Sequence, residues 1–140
     1  MKGQKYLVVG SGISGVAAVE LLESQGADVY LYDSNGKLTI EDVKKKLSDG
    51  SKAKCITGEL PTDLNVDHVV LSPGVPTDLP WINQMRDTGI EILGEIELGY
   101  RFEQGRVAAI TGTNGKTTTT TLVGEIMKAH LGEDKVFVVG

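Results

Sequence analysis

Apolar and polar positions follow one another along this chain in blocks, and the period of each block predicts an element. Tyr6-Leu7-Val8-Val9 is an unbroken apolar run, as a strand covered on both faces requires. Val16 to Ser24 follows with helical spacing, and Val29-Tyr30-Leu31-Tyr32 is a second apolar run. Ile40, Val43 and Leu47 share one helix face, while Lys44, Lys45 and Lys46 fan toward solvent. Residues 53–57 and 67–71 read as two more strands, Trp81 to Asp87 as a short helix after a proline, and Ile90 to Leu93 as another strand. A helix from Glu95 to Phe102 leads into Glu103-Gln104-Gly105. From Arg106 the pattern restarts, with a strand at Val107-Ala108-Ala109-Ile110, a loop from Gly112 to Gly115, a helix from Thr117 to His130 and a strand from Val136 to Val139.

Strands alternating with helices predict an α/β protein with an open, mostly parallel sheet and flanking helices. The organisation expected is a first domain over 1–93, a connecting helix and linker over 94–105, and the start of a second domain over 106–140. A lone strand–helix–strand unit cannot cover its own faces, which is why the last stretch reads as the opening of something larger.

Composition narrows the function classes. Apolar residues make up 40% and charged residues 24% of 140, the balance of a soluble globular chain and not of a disordered one. No stretch of about 20 apolar residues offers a membrane span, and Met1-Lys2-Gly3-Gln4-Lys5 enters the first strand without a signal-peptide pattern. Fourteen basic against 19 acidic residues leave a net charge of −5. No basic stripe interrupts this balance, which argues against a nucleic-acid surface. The single cysteine, Cys55, forms no internal disulfide, so a cytoplasmic location is expected. Its neighbours Ala53 and Ile56 mark it as a small core residue. Glycine is the outlier, with 18 copies, and several sit where phosphate chemistry wants them.

Gly10-Ser11-Gly12-Ile13-Ser14-Gly15 is a G-x-G-x-x-G between a strand and a helix. Its glycines permit a tight turn and close approach of a diphosphate to bare backbone, at a helix end that supplies free N–H groups and partial positive charge. Asp33 ends the next strand, where an acidic residue commonly receives a nucleotide's hydroxyls or base. The bland alternative is a glycine turn that serves strand–helix packing alone. Ser72-Pro73-Gly74-Val75-Pro76 follows another strand. Proline then glycine suits a type II turn, and its position at a strand's carboxyl end lets the Ser72 hydroxyl and nearby amides face the same diphosphate. Ile110-Thr111-Gly112-Thr113-Asn114-Gly115-Lys116-Thr117 resembles a P-loop between strand and helix, with Lys116 reaching phosphates and Thr117 on Mg²⁺, although Ile110 stands where the strict pattern has its first glycine. Two phosphate loops imply two phosphorylated ligands. A dehydrogenase needs only the first, and a simple ATPase only the second.

Taken together, Gly10-Ser11-Gly12-Ile13-Ser14-Gly15, Ser72-Pro73-Gly74, Gly94-Glu95-Ile96-Glu97-Leu98 and Thr111-Gly112-Thr113-Asn114-Gly115-Lys116-Thr117-Thr118 resemble the Mur ligases of peptidoglycan synthesis. Within that family they are most similar to the branch that adds D-glutamate to UDP-N-acetylmuramoyl-L-alanine. The resemblance implies a Rossmann-like first domain for the UDP-sugar peptide, followed by a truncated P-loop β-α-β unit from the ATPase domain. It implies ATP and Mg²⁺ as cofactors and a cytoplasmic, ADP-forming reaction. In that reaction the substrate's carboxylate becomes an acyl phosphate, which the D-glutamate amine attacks. Carried over by position, Gly12, Ile13, Ser14, Asp33, Ser34, Ser72 and Gly74 would bind the UDP-sugar. Gly112, Thr113, Asn114, Gly115, Lys116, Thr117 and Thr118 would bind ATP, with Lys116 catalytic and Thr117 on the metal. No membrane insertion and no obligate protein partner is implied, and the fragment alone should bind without turning over. The L-alanine-adding Mur ligase and an NAD-binding oxidoreductase domain are the rival readings; Lys116 has no task in the latter. Glu95, Glu97, His68 and His130 are expected to be structural.

Overall fold

The computed structural model describes residues 2–139, which form two compact units that divide between Phe102 and Glu103. In the first, five parallel strands lie in the order β3-β2-β1-β4-β5: β1 (Lys5–Val9), β2 (Asp28–Asp33), β3 (Lys54–Thr57), β4 (His68–Leu71) and β5 (Glu91–Gly94). Helices α1 (Ile13–Ser24), α2 (Ile40–Lys44), α3 (Pro80–Asp87) and α4 (Glu95–Arg101) connect or follow them.

The apolar run of β1 explains its central place, because alternate side chains enter two separate cores. Tyr6 and Val8 pack with Ala18, Val19 and Leu22 of α1 and Leu98 of α4. Leu7 and Val9 pack on the opposite face with Val69, Leu71 and Ile82 of α3. Burying a side chain of this size contributes on the order of 1.5–3 kcal/mol relative to leaving it exposed.

Local signals set the element ends. Thr39 and Asp42 form a reciprocal capping box at the start of α2, so that helix begins at Ile40 and stops after one turn. Pro80 occupies the first turn of α3, where a missing N–H costs nothing. Arg101 closes α4 by donating to both carboxylate oxygens of Glu91, at 3.0 and 2.7 Å, and to Glu97 at 2.9 Å. His68 stacks on Tyr6, with ring centroids 4.6 Å apart, and meets Glu91 through Nδ1 at 3.1 Å. It therefore serves packing, as expected. Cys55 is half-buried against the α1 core, and burial raises its thiol pKa.

Leu98 of α4 is buried in the first core, and the second compact unit begins at Glu103. In that unit α5 (Lys116–Leu131) forms, but the strands expected at Val107–Ile110 and Val136–Val139 do not. A strand exists only through its ladder, and no neighbour among the described residues of this unit supplies one. Val138 nevertheless packs so closely on Gly124 of α5 that a Cβ there would lie 2.5 Å from its methyl.

Candidate functional site

The first glycine loop leaves β1 at Gly10, whose φ of +103° suits only glycine. Its N–H donates to the Tyr32 carbonyl at 2.8 Å, which ties the loop to the end of β2. A Cβ on Gly15 would stand 1.8 Å from the Gly10 carbonyl oxygen, so α1 can approach the strand end only with a glycine there. Ser11, between them, is 2% exposed and is the buried polar residue of the described core. Its N–H donates to Asp33 Oδ2 at 3.0 Å, and its hydroxyl donates to the same oxygen. Lys46 Nζ donates to the Ser11 carbonyl at 3.1 Å and to its hydroxyl oxygen at 3.0 Å. Asp33 Oδ1 accepts from the Asn35 N–H at 3.0 Å. Partial burial opposes ionisation of Asp33. The hydrogen bonds from the Ser11 hydroxyl and the Asn35 and Ser11 amides, with the Lys46 charge, outweigh it and hold the carboxyl below its ordinary pKa.

The second edge of the site is the turn after β4. The Ser72 N–H donates to the Val9 carbonyl at 3.1 Å, and its own carbonyl accepts from Val75 N–H at 2.9 Å. Gly74 keeps its φ outside the left-handed region, so this is not the expected type II turn. Proline's fixed φ at the preceding position serves a turn without positive φ equally well. The Ser72 hydroxyl is buried and has no hydrogen-bond partner. It lies against the glycine loop, where a Cβ added to Gly10 would come within 2.9 Å of it.

Between these edges opens a cleft of about 190 Å³, bounded by Val9 and Gly10, by Tyr32 to Ser34, by Gly74 to Pro76, and by Leu79 and Trp81 at the start of α3. It sits at the carboxyl ends of the strands where the order reverses between β1 and β4, the usual ligand position in open α/β sheets. Trp81 meets Tyr32 edge-on at 6.1 Å, and the Tyr32 hydroxyl donates to the Gly58 carbonyl at 2.8 Å. An apolar, aromatic wall beside an ionised carboxylate suits a flat heterocycle that carries N–H or O–H donors.

Of the residues expected to bind nucleotide, Asp33, Ser34 and Gly74 line the cleft, and Ser72 stands behind Gly10. Gly12, Ile13 and Ser14 lie outside its wall, at the start of α1, with Ile13 93% exposed. Tyr32 and Trp81 were legible only as strand and helix residues, Val75 only as part of the turn after β4, Leu79 not at all, and Lys46 only as one of three solvent-facing lysines. The first four pack on the core face shared with Val9, so their apolar character carried no separate signal. Glu97 pairs with Arg101, while Glu95 has one buried carboxylate oxygen without a partner.

In the second unit, Gly115 caps α5 in the left-handed conformation, with φ +75°. Lys116 folds back so that Nζ donates to the Gly112 carbonyl at 2.7 Å. Thr113, Asn114, Thr117 and Thr118 are exposed around this turn. The threonine run is helical, and the Thr121 hydroxyl satisfies the Thr117 carbonyl at 2.9 Å. An ammonium held across a glycine turn, beside hydroxyls and the free amides of a 16-residue helix, is a donor set that fits a polyphosphate.

A family model for the Mur ligase MurD-like N-terminal domain matches residues 4–94. The chain belongs to that family. A Lachnoclostridium phytofermentans protein named UDP-N-acetylmuramoylalanine--D-glutamate ligase is 53% identical over 140 residues, which is 99% of this chain and 30% of that protein. Its namesake from Lachnospira eligens is 49% identical over 142 residues, 100% of this chain and 31% of the relative. The chain thus spans about a third of the length of the curated relatives it matches. Among solved structures, a murein peptide ligase from Psychrobacter arcticus aligns with a TM-score of 0.57 at 25% identity, covering 91% of this chain and 27% of that one. UDP-N-acetylmuramate-alanine ligase MurC from Thermotoga maritima aligns with a TM-score of 0.53 at 25% identity, covering 89% and 29%. The Rossmann-like α/β fold and the Mur ligase membership expected from the motifs both stand.

Proposed function

We propose that this chain is the nucleotide-substrate-binding part, with the opening of the ATP-binding part, of an ADP-forming ligase that joins D-glutamate to UDP-N-acetylmuramoyl-L-alanine. The observation that carries this reading is 53% identity, across 99% of the chain, to a relative bearing that activity's name. That span includes both phosphate loops.

The residues support a division of labour. The cleft wall of Tyr32 and Trp81 takes the face of the uracil, and Asp33 and Ser34 accept its edge or the ribose hydroxyls. The amides of Gly12, Ile13 and Ser14 at the start of α1, with Gly74 and the partnerless Ser72 hydroxyl, take the diphosphate. Gly112 to Thr118 hold ATP, with Thr117 offering an oxygen to Mg²⁺ and Lys116 offsetting charge that builds up on the phosphates. When bound, MgATP supplies the phosphoryl group that activates the substrate's carboxylate for attack by the D-glutamate amine. The reaction belongs in the cytoplasm, where ATP and nucleotide sugars are available.

Calorimetric titration tests the binding half. UDP-N-acetylmuramoyl-L-alanine and UDP should bind this chain while NADH stays silent; NADH binding with the uridine ligands silent would turn the reading to an oxidoreductase domain. Phosphate release by the whole enzyme tests the chemistry and should require both UDP-N-acetylmuramoyl-L-alanine and D-glutamate. Equal turnover with L-glutamate sinks the substrate assignment. Turnover of L-alanine on the unextended UDP-sugar supports the second reading, an L-alanine-adding ligase, which the likeness to the Thermotoga enzyme favours at only 25% identity.

A further inference from the structure

We infer that Lys46 is a positioning residue of the nucleotide cleft, acting through Ser11 and Asp33 without touching the ligand. This deepens the reading above and rests on it only for the identity of the ligand. The geometry is a three-residue relay. Lys46 gives two hydrogen bonds to Ser11, one to the carbonyl at 3.1 Å and one to the hydroxyl oxygen at 3.0 Å. Ser11 passes its own two donors, N–H and O–H, to a single oxygen of Asp33. Every polar atom of this buried serine is thereby committed inside the protein, and none is left for a ligand. Asp33 Oδ2 is consumed in the same way, while Oδ1 has one partner, the Asn35 amide.

Three consequences follow for recognition. The glycine loop between Gly10 and Gly15 is tied to the segment after α2, 35 residues on in sequence, which anchors the loop that carries Gly10 of the cleft wall to a second element. The Asp33 carboxylate is fixed in rotation, because one oxygen is held from two directions. It is also held in the ionised, acceptor-only state, so the site selects groups that donate, such as an imide N–H or a ribose hydroxyl. A lysine suits the far end of the relay because an ammonium donates several bonds and brings the charge that a carboxylate at the near end favours.

The test compares Lys46→Met, which keeps length and loses the donors, with Lys46→Arg and Ser11→Ala, on the full 140-residue chain. Without ligand, the Asp33 carboxyl carbon is followed by NMR through a pH titration, together with hydrogen exchange of the Ser11 amide. In Lys46→Met the Asp33 midpoint should rise and the Ser11 amide should exchange faster; Lys46→Arg should restore part of both. Absence of both changes overturns the relay whatever the ligand is. With UDP as the probe, Lys46→Met should weaken binding by about tenfold, the loss expected for a charge-assisted hydrogen bond. It should weaken binding by clearly less in a Ser11→Ala background, which removes the hydroxyl that links Lys46 to Asp33 and leaves only the bond to the Ser11 carbonyl. Equal losses in both backgrounds would mean that Lys46 acts on binding by a route that bypasses the Ser11 hydroxyl, and would overturn the inference. If the wild-type chain ignores UDP while the ligand-free changes appear, the relay stands and the uridine reading is what fails.

Discussion

Ser72 and Gly15 show how far one atom can matter at this site. The Ser72 hydroxyl is buried without a partner, and a buried polar group in that state costs on the order of 1–3 kcal/mol. Ser72→Ala should therefore leave the thermal midpoint unchanged or raise it, while weakening UDP by about tenfold as a lost hydrogen bond to a charged group. A lowered midpoint with intact UDP affinity would contradict the role proposed for it. Gly15 has the opposite signature. Its missing Cβ keeps α1 against the Gly10 carbonyl, so Gly15→Ala should destabilise the first unit by roughly 1–3 kcal/mol, the range of a forced backbone shift, read by chemical denaturation. The glycines of the first loop were legible in the sequence because a strand, a loop and a helix in that order leave few other uses for them. Lys46 was not, since a lysine in a run of three has the same helical spacing whether it faces water or a serine 35 residues away.

Elements formed where local chemistry and packing agreed. The capping box of α2 is written in Thr39 and Asp42, and Thr39→Ala should cost about 1 kcal/mol of stability, measured on the first unit by denaturant unfolding. Strands β1 to β5 could be read from their apolar runs because each is paired inside one sheet. The runs at 107–110 and 136–139 have the same composition but no ladder among the described residues, and residues there stay open, with Val107 56% exposed. Amides in Val107–Ile110 should exchange far faster than those of Leu7–Val9 in the central strand. Equal protection would mean that a ladder forms in solution.

For the whole molecule, carboxylates held in hydrogen-bond networks link charge to stability, Glu91 and Asp33 among them. Glu91 has its pKa lowered chiefly by the Arg101 hydrogen bonds, and Asp33 by the Ser11 relay against its burial. Each has a folded pKa below its unfolded one, so each stabilises the fold fully above the ordinary carboxylate range of about 4. That contribution is lost as pH falls through the depressed values. The first unit should accordingly keep its thermal midpoint from pH 7 to 5 and lose it progressively below about pH 4; a midpoint that rises on acidification would contradict both networks. Strand and helix order in the first unit and the two glycine loops follow from residue spacing, because period and turn chemistry act over a few neighbours. The cleft does not. Tyr32, Trp81, Gly74 and Asp33 meet only because a parallel sheet brings the ends of β1, β2 and β4 to one edge, and Lys46 joins Ser11 only once that edge is built. Contacts between residues tens of positions apart depend on strand order and register, which no local pattern encodes.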